Sequence, residues 1–111
     1  MDMKVKGNWV RICSVDDIPV LGARVVEHAA ADGGDIAIFR NGENKVFALR
    51  DKCPHKGGPL SQGIVYGETV TCPLHGWHIG LDDGVAKAPD VGCAERFGCK
   101  IENGEVHLDL G

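Results

Sequence analysis

Cys53-Pro54-His55-Lys56-Gly57-Gly58-Pro59-Leu60 opens the stretch that decides how this chain is read. Across an interval of sixteen residues from His55 comes its second half, Cys72-Pro73-Leu74-His75-Gly76-Trp77. Each half follows a run patterned as a strand, Lys45–Asp51 and then Glu68–Thr71, and opens a loop. Two fingers of this kind can meet and present two thiolates and two imidazoles to one site. Between Gly57 and Gly84, seven of 28 residues are glycine, and Pro54, Pro59 and Pro73 lie within or just before that segment. Such a sequence has little conformational preference of its own, so something must fasten it. The Cys/His pairs are the candidate fasteners.

Thiolate is a soft donor suited to zinc and iron–sulfur centres, and imidazole suits zinc and iron. Zinc sites of two Cys and two His usually read C-x₂₋₄-C followed by H-x₃₋₅-H, with like ligands paired. Here each pair is mixed, and Cys53-Pro54-His55 is tight for a zinc knuckle. A mixed pair on each finger suits a two-iron cluster in which one iron takes both sulfurs and the other both imidazoles. Gly57, Gly58 and Gly76 leave room for backbone N–H groups to approach sulfur. A structural zinc-binding interaction module built on the same four donors is the competing reading from another class.

Outward from this segment the pattern is all-β. Short alternating or β-branched runs separated by Gly, Asp, Asn and Pro predict strands at Asn8–Cys13, Gly22–His28, Asp35–Arg40, Lys45–Asp51, Glu68–Thr71, Trp77–Gly80, Val85–Ala86, Phe97–Glu102 and Glu105–Leu110. Asn41-Gly42, Asn103-Gly104 and Asp83-Gly84 read as tight turns, and Ser14–Pro19 as one capped turn. These strands predict two packed antiparallel sheets or a small barrel, and no helix of any length. At 111 residues and 11.8 kDa the chain makes one domain, residues 1–111. A net charge of −4 and a pI near 5.6 give no electrostatic footprint for nucleic acid or an anionic membrane. No apolar run reaches the ~18 residues of a membrane span, and no apolar stretch follows Lys4 and Lys6 as in a signal peptide. The expected location is the cytoplasm, where five cysteines point to metal rather than disulfides.

The pattern C-P-H-K-G-G-P-L followed by C-P-L-H-G-W, with sixteen residues between His55 and Cys72, resembles the Rieske [2Fe–2S] proteins over nearly the whole chain. The resemblance implies an all-β Rieske-type fold with an inserted cluster-binding subdomain, approximately residues 52–90, and one Rieske-type [2Fe–2S] cluster per chain. Cys53 and Cys72 would bind the inner iron, and His55 and His75 the outer iron at the exposed tip. Family members of the respiratory bc type carry a disulfide cysteine in each loop, where this chain has Gly58 and Leu74. They also carry a serine and a tyrosine that hydrogen-bond the cluster, where this chain has Trp77 and Ile79. Fewer such bonds imply a potential toward the low end of the Rieske range, around −150 mV.

Cys53–Gly63, Val70–Trp77, Asp16–Pro19 and Gly22–Val26 look like the small subunit of assimilatory NAD(P)H nitrite reductase. That likeness implies a large partner subunit with FAD, a [4Fe–4S] cluster and sirohaem, reducing nitrite to ammonia, and no catalysis by this chain alone. The alternative is a free Rieske ferredoxin passing electrons from a flavin reductase to an aromatic-ring-hydroxylating dioxygenase.

Other residues have plainer readings. Lys56 is either a docking cation or a solvated loop lysine, and Trp77 packs under the cluster loops. Pro89 belongs to a third, covering loop. His78 is structural, because strand alternation after His75 turns it away from the ligands. His28 and His107 are partly exposed strand residues, Cys13 is core, and Cys93 and Cys99 are free thiols. Asp82-Asp83 is turn chemistry.

Overall fold

The computed structural model describes residues 9–26, 35–51, 59–72, 76–87, 92–94 and 96–109. Among these lie ten strands in three antiparallel sheets. The first sheet joins β1 (Trp9–Ser14), β10 (Glu105–Asp109) and β9 (Cys99–Glu102), in that order. The second has the order β2 (Gly22–Val26), β3 (Ile36–Arg40), β4 (Val46–Arg50), β8 (Arg96–Phe97). The third is β5 (Ile64–Tyr66), β6 (Thr69–Thr71), β7 (His78–Gly80). Among the described residues no helix is long and apolar enough to cross a membrane.

The middle sheet is buried on both faces. Along β3, Ile36 and Ile38 join one core with Cys13, Ile18, Ala48, Val106 and Leu108. Ala37 and Phe39, pointing the other way, join a second core with Leu49, Leu60, Val65, Val70, Cys72, Ile79 and Leu81. The first core is shared with the β1-β10-β9 sheet and the second with the β5-β6-β7 sheet, so the molecule is layered in three. Burial on both faces is why Ile36-Ala37-Ile38-Phe39 is apolar without alternation. The β5-β6-β7 sheet, which leads directly into Cys72, therefore rests on the scaffold through Val65, Val70 and Ile79.

Differences from the sequence reading have local causes. Strand β5 was not expected: Ile64 and Tyr66 are exposed, only Val65 is buried, and Gly63 and Gly67 flank it. The run Phe97–Glu102 divides at Gly98, where the chain passes from the middle sheet to the first. A Cβ there would lie 3.1 Å from Asp109 Cβ and 3.3 Å from the Trp9 ring. Val85 and Ala86 form isolated bridges to Cys93 and Ile79 rather than a strand. At Asn41-Gly42 the turn is longer than a two-residue hairpin: the positive φ falls on Asn44 (64°), and Asn41 Oδ1 accepts from the N–H groups of Glu43 (2.9 Å) and Lys45 (3.0 Å). Asn103 (54°) and Gly104 (78°) both have positive φ, as a type I′ turn requires. The Ser14 turn is a capping box, with Ser14 Oγ accepting from Asp16 N–H and Asp17 Oδ2 from Ser14 N–H.

Candidate metal centre

The first Cys/His loop leaves the middle sheet at the end of β4. Asp51 N–H donates to Asp35 O at 2.9 Å, which continues the β3–β4 pairing one step beyond the strand. Residues 52–58, with Cys53, His55 and Lys56, lie outside the described residues. The chain is described again from Pro59 and enters a 3₁₀ turn, Leu60–Gln62, whose Leu60 is fully buried in the second core. The two ends of the loop are tied together. Asp51 Oδ1 accepts from Ser61 N–H at 2.7 Å, and Asp51 Oδ2 accepts from Ser61 Oγ–H at 2.9 Å.

The chain then turns back at Gly63, which lies against the end of β6. A Cβ on Gly63 would meet Thr71 O closer than Cβ atoms approach oxygen in real proteins. It would also lie 3.0 Å from Val70 Cγ2 and 3.1 Å from Leu60 O. The hairpin β5–β6 turns at Gly67 (φ 56°) with register Ile64↔Thr71, Val65↔Val70, Tyr66↔Thr69. It delivers Cys72, 2% exposed, into the core side. The second loop is closed across its foot by Cys72 N–H to Trp77 O at 2.7 Å and Gly76 N–H to Cys72 O at 3.1 Å. Gly76 (φ 73°) supplies the left-handed residue that this close return needs. Residues 73–75, His75 included, lie outside the described residues. Pro59 and Gly76, which bound the two loops, are exposed.

Of the four candidate ligands, Cys53, His55 and His75 thus lie outside the described residues and Cys72 is placed. Among the described residues no three Cys, His, Asp or Glu gather to hold a metal. What the structure brings together is the feet of the two loops: Asp51 to Ser61, Ser61 through Gly63 to Thr71, and Thr71 to Cys72. Two sulfurs and two imidazoles on loops so joined are a donor set suited to an iron–sulfur centre.

His78 lies on the opposite face of the hairpin from Cys72, where its Nδ1 is 2.9 Å from Thr71 Oγ1 and 3.4 Å from the Tyr66 hydroxyl. The Tyr66 and His78 rings meet edge-on at 6.3 Å. Trp77 is half-buried against the second core. Ile79 is fully buried and offers no hydroxyl. Pro89 and His28 lie outside the described residues.

The remaining cysteines are outside the candidate ligand set. Cys13, Cys93 and Cys99 are free thiols, Cys93 exposed and Cys13 buried. Cys13 and Cys99 lie on the two outer strands of one sheet, separated by β10. Two ladder spacings of roughly 4.8 Å exceed the ~7 Å limit for a disulfide. Burial raises both thiols, Cys99 to about 12, so both stay protonated. Arg11 Nε donates to Glu105 at 2.8 Å, and that bond raises the guanidinium and lowers the carboxyl. The sequence reading passed over Asp51, Ser61 and Gly63. The available signal was an acidic residue just before the first ligand loop and a hydroxyl residue just after it.

Comparison with known proteins agrees with this architecture. Residues 8–100 match the Rieske [2Fe–2S] domain family. The ferredoxin component of naphthalene 1,2-dioxygenase/salicylate 5-hydroxylase systems from a Ralstonia species is 30% identical over 107 residues, covering 93% of this chain and 96% of that protein. The Sphingomonas yanoikuyae B1 ferredoxin superposes with a TM-score of 0.79 at 27% identity, covering 94% and all of the respective chains. A protein from Mycobacterium tuberculosis, provisionally described as an NADH-dependent nitrite reductase small subunit, superposes with a TM-score of 0.81 at 22% identity, covering 96% and 98%. The chain also spans only 22%, 14% and 11% of three larger curated relatives, two oxygenases and an oxidoreductase. The family match covers most of the sequence and fixes the cofactor as a Rieske-type cluster rather than zinc, so this chain belongs to the Rieske [2Fe–2S] family of electron-transfer domains.

Proposed function

We propose that this chain carries single electrons to a partner as the small subunit of an NAD(P)H-dependent nitrite reductase. In this reading Cys53, His55, Cys72 and His75 hold the cluster, within a cluster-binding part spanning about residues 52–90. The observation that supports the ligand set is the joining of the two loop feet through Asp51, Ser61, Gly63 and Thr71. The bound cluster supplies one-electron oxidation and reduction. The chain's own residues hold it and shape its surroundings. Cys72, on the buried side, keeps its sulfur from water; Leu60 and Trp77 pack into and against the same core. His75 adjoins exposed Gly76, which favours electron exit at the histidine side.

The sequence Cys53–Gly63 with Val70–Trp77 supports the nitrite reductase role. The full-length match to a dioxygenase-system ferredoxin favours a second reading, a free ferredoxin serving a ring-hydroxylating oxygenase. Reconstitution separates them: the reduced protein is mixed with a sirohaem-containing nitrite reductase large subunit or with a ring-hydroxylating oxygenase. Stimulated formation of ammonia from nitrite is the expected result. Stimulated ring hydroxylation with no effect on nitrite would overturn the first role. A colourless protein with one zinc, no labile sulfide and no average-g-below-2 resonance on reduction would overturn the ligand set as well.

A further inference from the structure

Asp51 is outside the ligand set and beyond the end of β4, yet both of its carboxylate oxygens are used by one residue. Ser61 N–H and Ser61 Oγ–H donate to Oδ1 (2.7 Å) and Oδ2 (2.9 Å), and Asp51 N–H is held by Asp35 O at 2.9 Å. We propose that Asp51 is a positioning residue for the cluster, locking the first ligand loop at its base and holding it in register with Cys72.

The inference rests on the ligand set proposed above. Bonds to a carboxylate are short and stronger than neutral ones, and a two-point contact fixes direction as well as distance. Tying residue 51 to residue 61 closes the loop before the cluster enters, so its closure entropy does not fall on the metal bonds. Ser61 also stands between Leu60, fixed in the core, and Gly63, pressed against Thr71 O beside Cys72. Asp51 thus acts on the spacing between the two loops.

The test compares holoprotein with Asp51→Ala, Asp51→Asn, Ser61→Ala and Cys72→Ser. The cluster is challenged with an iron chelator, and the decay of visible absorbance, the g-values of the reduced protein and its potential are read. Thermal unfolding of the cluster-free proteins measures general stability. Asp51→Ala is expected to lose its cluster about tenfold faster than wild type, the factor carried by one charge-assisted hydrogen bond, and to show shifted g-values. Asp51→Asn keeps an acceptor for Ser61 N–H, and its amide can donate to Ser61 Oγ. It is expected to decay no more than about threefold faster than wild type, since a neutral bond is roughly half as strong, with its g-values kept and its potential raised by loss of the negative charge. Ser61→Ala should fall between the two. Wild-type decay and g-values in Asp51→Ala overturn the positioning role. So does Asp51→Asn behaving like Asp51→Ala, or faster decay explained wholly by lower cluster-free stability. If Asp51→Ala does not fold, the contrast of Ser61→Ala with Asp51→Asn decides in the same way. Retention of the Rieske signal by Cys72→Ser overturns the ligand set instead, which keeps the two failures distinct.

Discussion

Replacing Gly63 by alanine tests whether the close approach of the two loop feet is a requirement of the site. Gly63 has φ −81° and ψ −177°, an extended conformation open to any residue, so alanine meets no backbone strain there. Its cost is contact. The new methyl would press on Thr71 O, with Val70 Cγ2 at 3.0 Å and Leu60 O at 3.1 Å closing the other sides. Restoring an ordinary carbon–oxygen separation of roughly 3.3 Å must move either the 3₁₀ turn or the end of β6. Neither is free, since Leu60 is seated in the core and Thr71 is paired with both Ile64 and His78. Overpacking of this kind costs roughly 1–3 kcal/mol. The smaller entropy of an unfolded alanine returns about 0.4–1 kcal/mol. A net loss of about 1.5 kcal/mol lowers Tm by roughly 6 °C at this chain length.

The displacement lies between Ser61 and Cys72, so Gly63→Ala is also expected to hold less cluster and to shift its g-values. Gly67→Ala is the control. Gly67 has φ 56° with nothing within 4 Å of a Cβ, so alanine costs about 1 kcal/mol of backbone conformation and touches no loop. Circular dichroism of cluster-free protein and visible absorbance of holoprotein read the two effects separately. If Gly63→Ala keeps wild-type Tm and cluster content, or if Gly67→Ala perturbs the cluster equally, the two feet are not coupled through Gly63.

Two further expectations concern residues away from the ligands. Burial, and after it electrostatic interaction with Cys13 across the sheet, raises Cys99 to about 12. The fold therefore favours the neutral thiol, while the unfolded chain loses that proton near pH 9. The contribution is whole below pH 9 and is lost as pH rises toward 12, at about 1.4 kcal/mol per unit and no more than ~4 kcal/mol in all. Unfolding free energies of cluster-free protein from urea titrations should fall, from pH 9 to pH 10.5, about 1.6 kcal/mol further for wild type than for Cys99→Ala; parallel curves would remove Cys99 from the account. His78→Ala loses an exposed contact to Thr71 and Tyr66 and should cost at most ~1 kcal/mol with the reduced spectrum unchanged. Disappearance of the Rieske resonance in that variant would make His78 a ligand.

Elements whose buried face is written in the sequence were legible from it. Ile36–Phe39, Val46–Leu49 and Val106–Leu108 carry their burial in residue type, and strands were expected at each. Strand β5 was not, because its three residues show two exposed apolar side chains and become a strand only by pairing with β6. The turn after β3 was placed correctly but given the wrong length. The Asn41 side chain, 1% exposed, replaces backbone partners and carries the turn on to Asn44. In the site, the kind of cluster was legible because few centres call for mixed Cys/His pairs, and the family match agrees. The Asp51–Ser61 tie was not, since a carboxylate and a serine ten positions apart have no fixed relation until a buried Leu60 sets the turn between them.

The sixteen residues between His55 and Cys72 have a structural explanation in the part that is described. From Pro59 the spacer is a 3₁₀ turn, a glycine, three residues of β5, the turn Gly67-Glu68 and three residues of β6. A hairpin with equal arms returns its second end to the level of its first, so Cys72 arrives beside Gly63 whatever the side chains of the arms. One residue more in β6 would turn Cys72 from the buried face to the outward face that His78 shares with Thr71, because side chains alternate along a strand. An insertion at the Gly67-Glu68 turn leaves both arms in register and keeps Cys72 where it is. The spacing is therefore strict within β6 and tolerant at the turn. An extra glycine after Gly67 should leave the cluster in place, whereas one after Val70 should abolish it, with equal chain length in both proteins. Cluster loss in both, or in neither, would mean that spacer length rather than hairpin register sets the position of the second ligand loop.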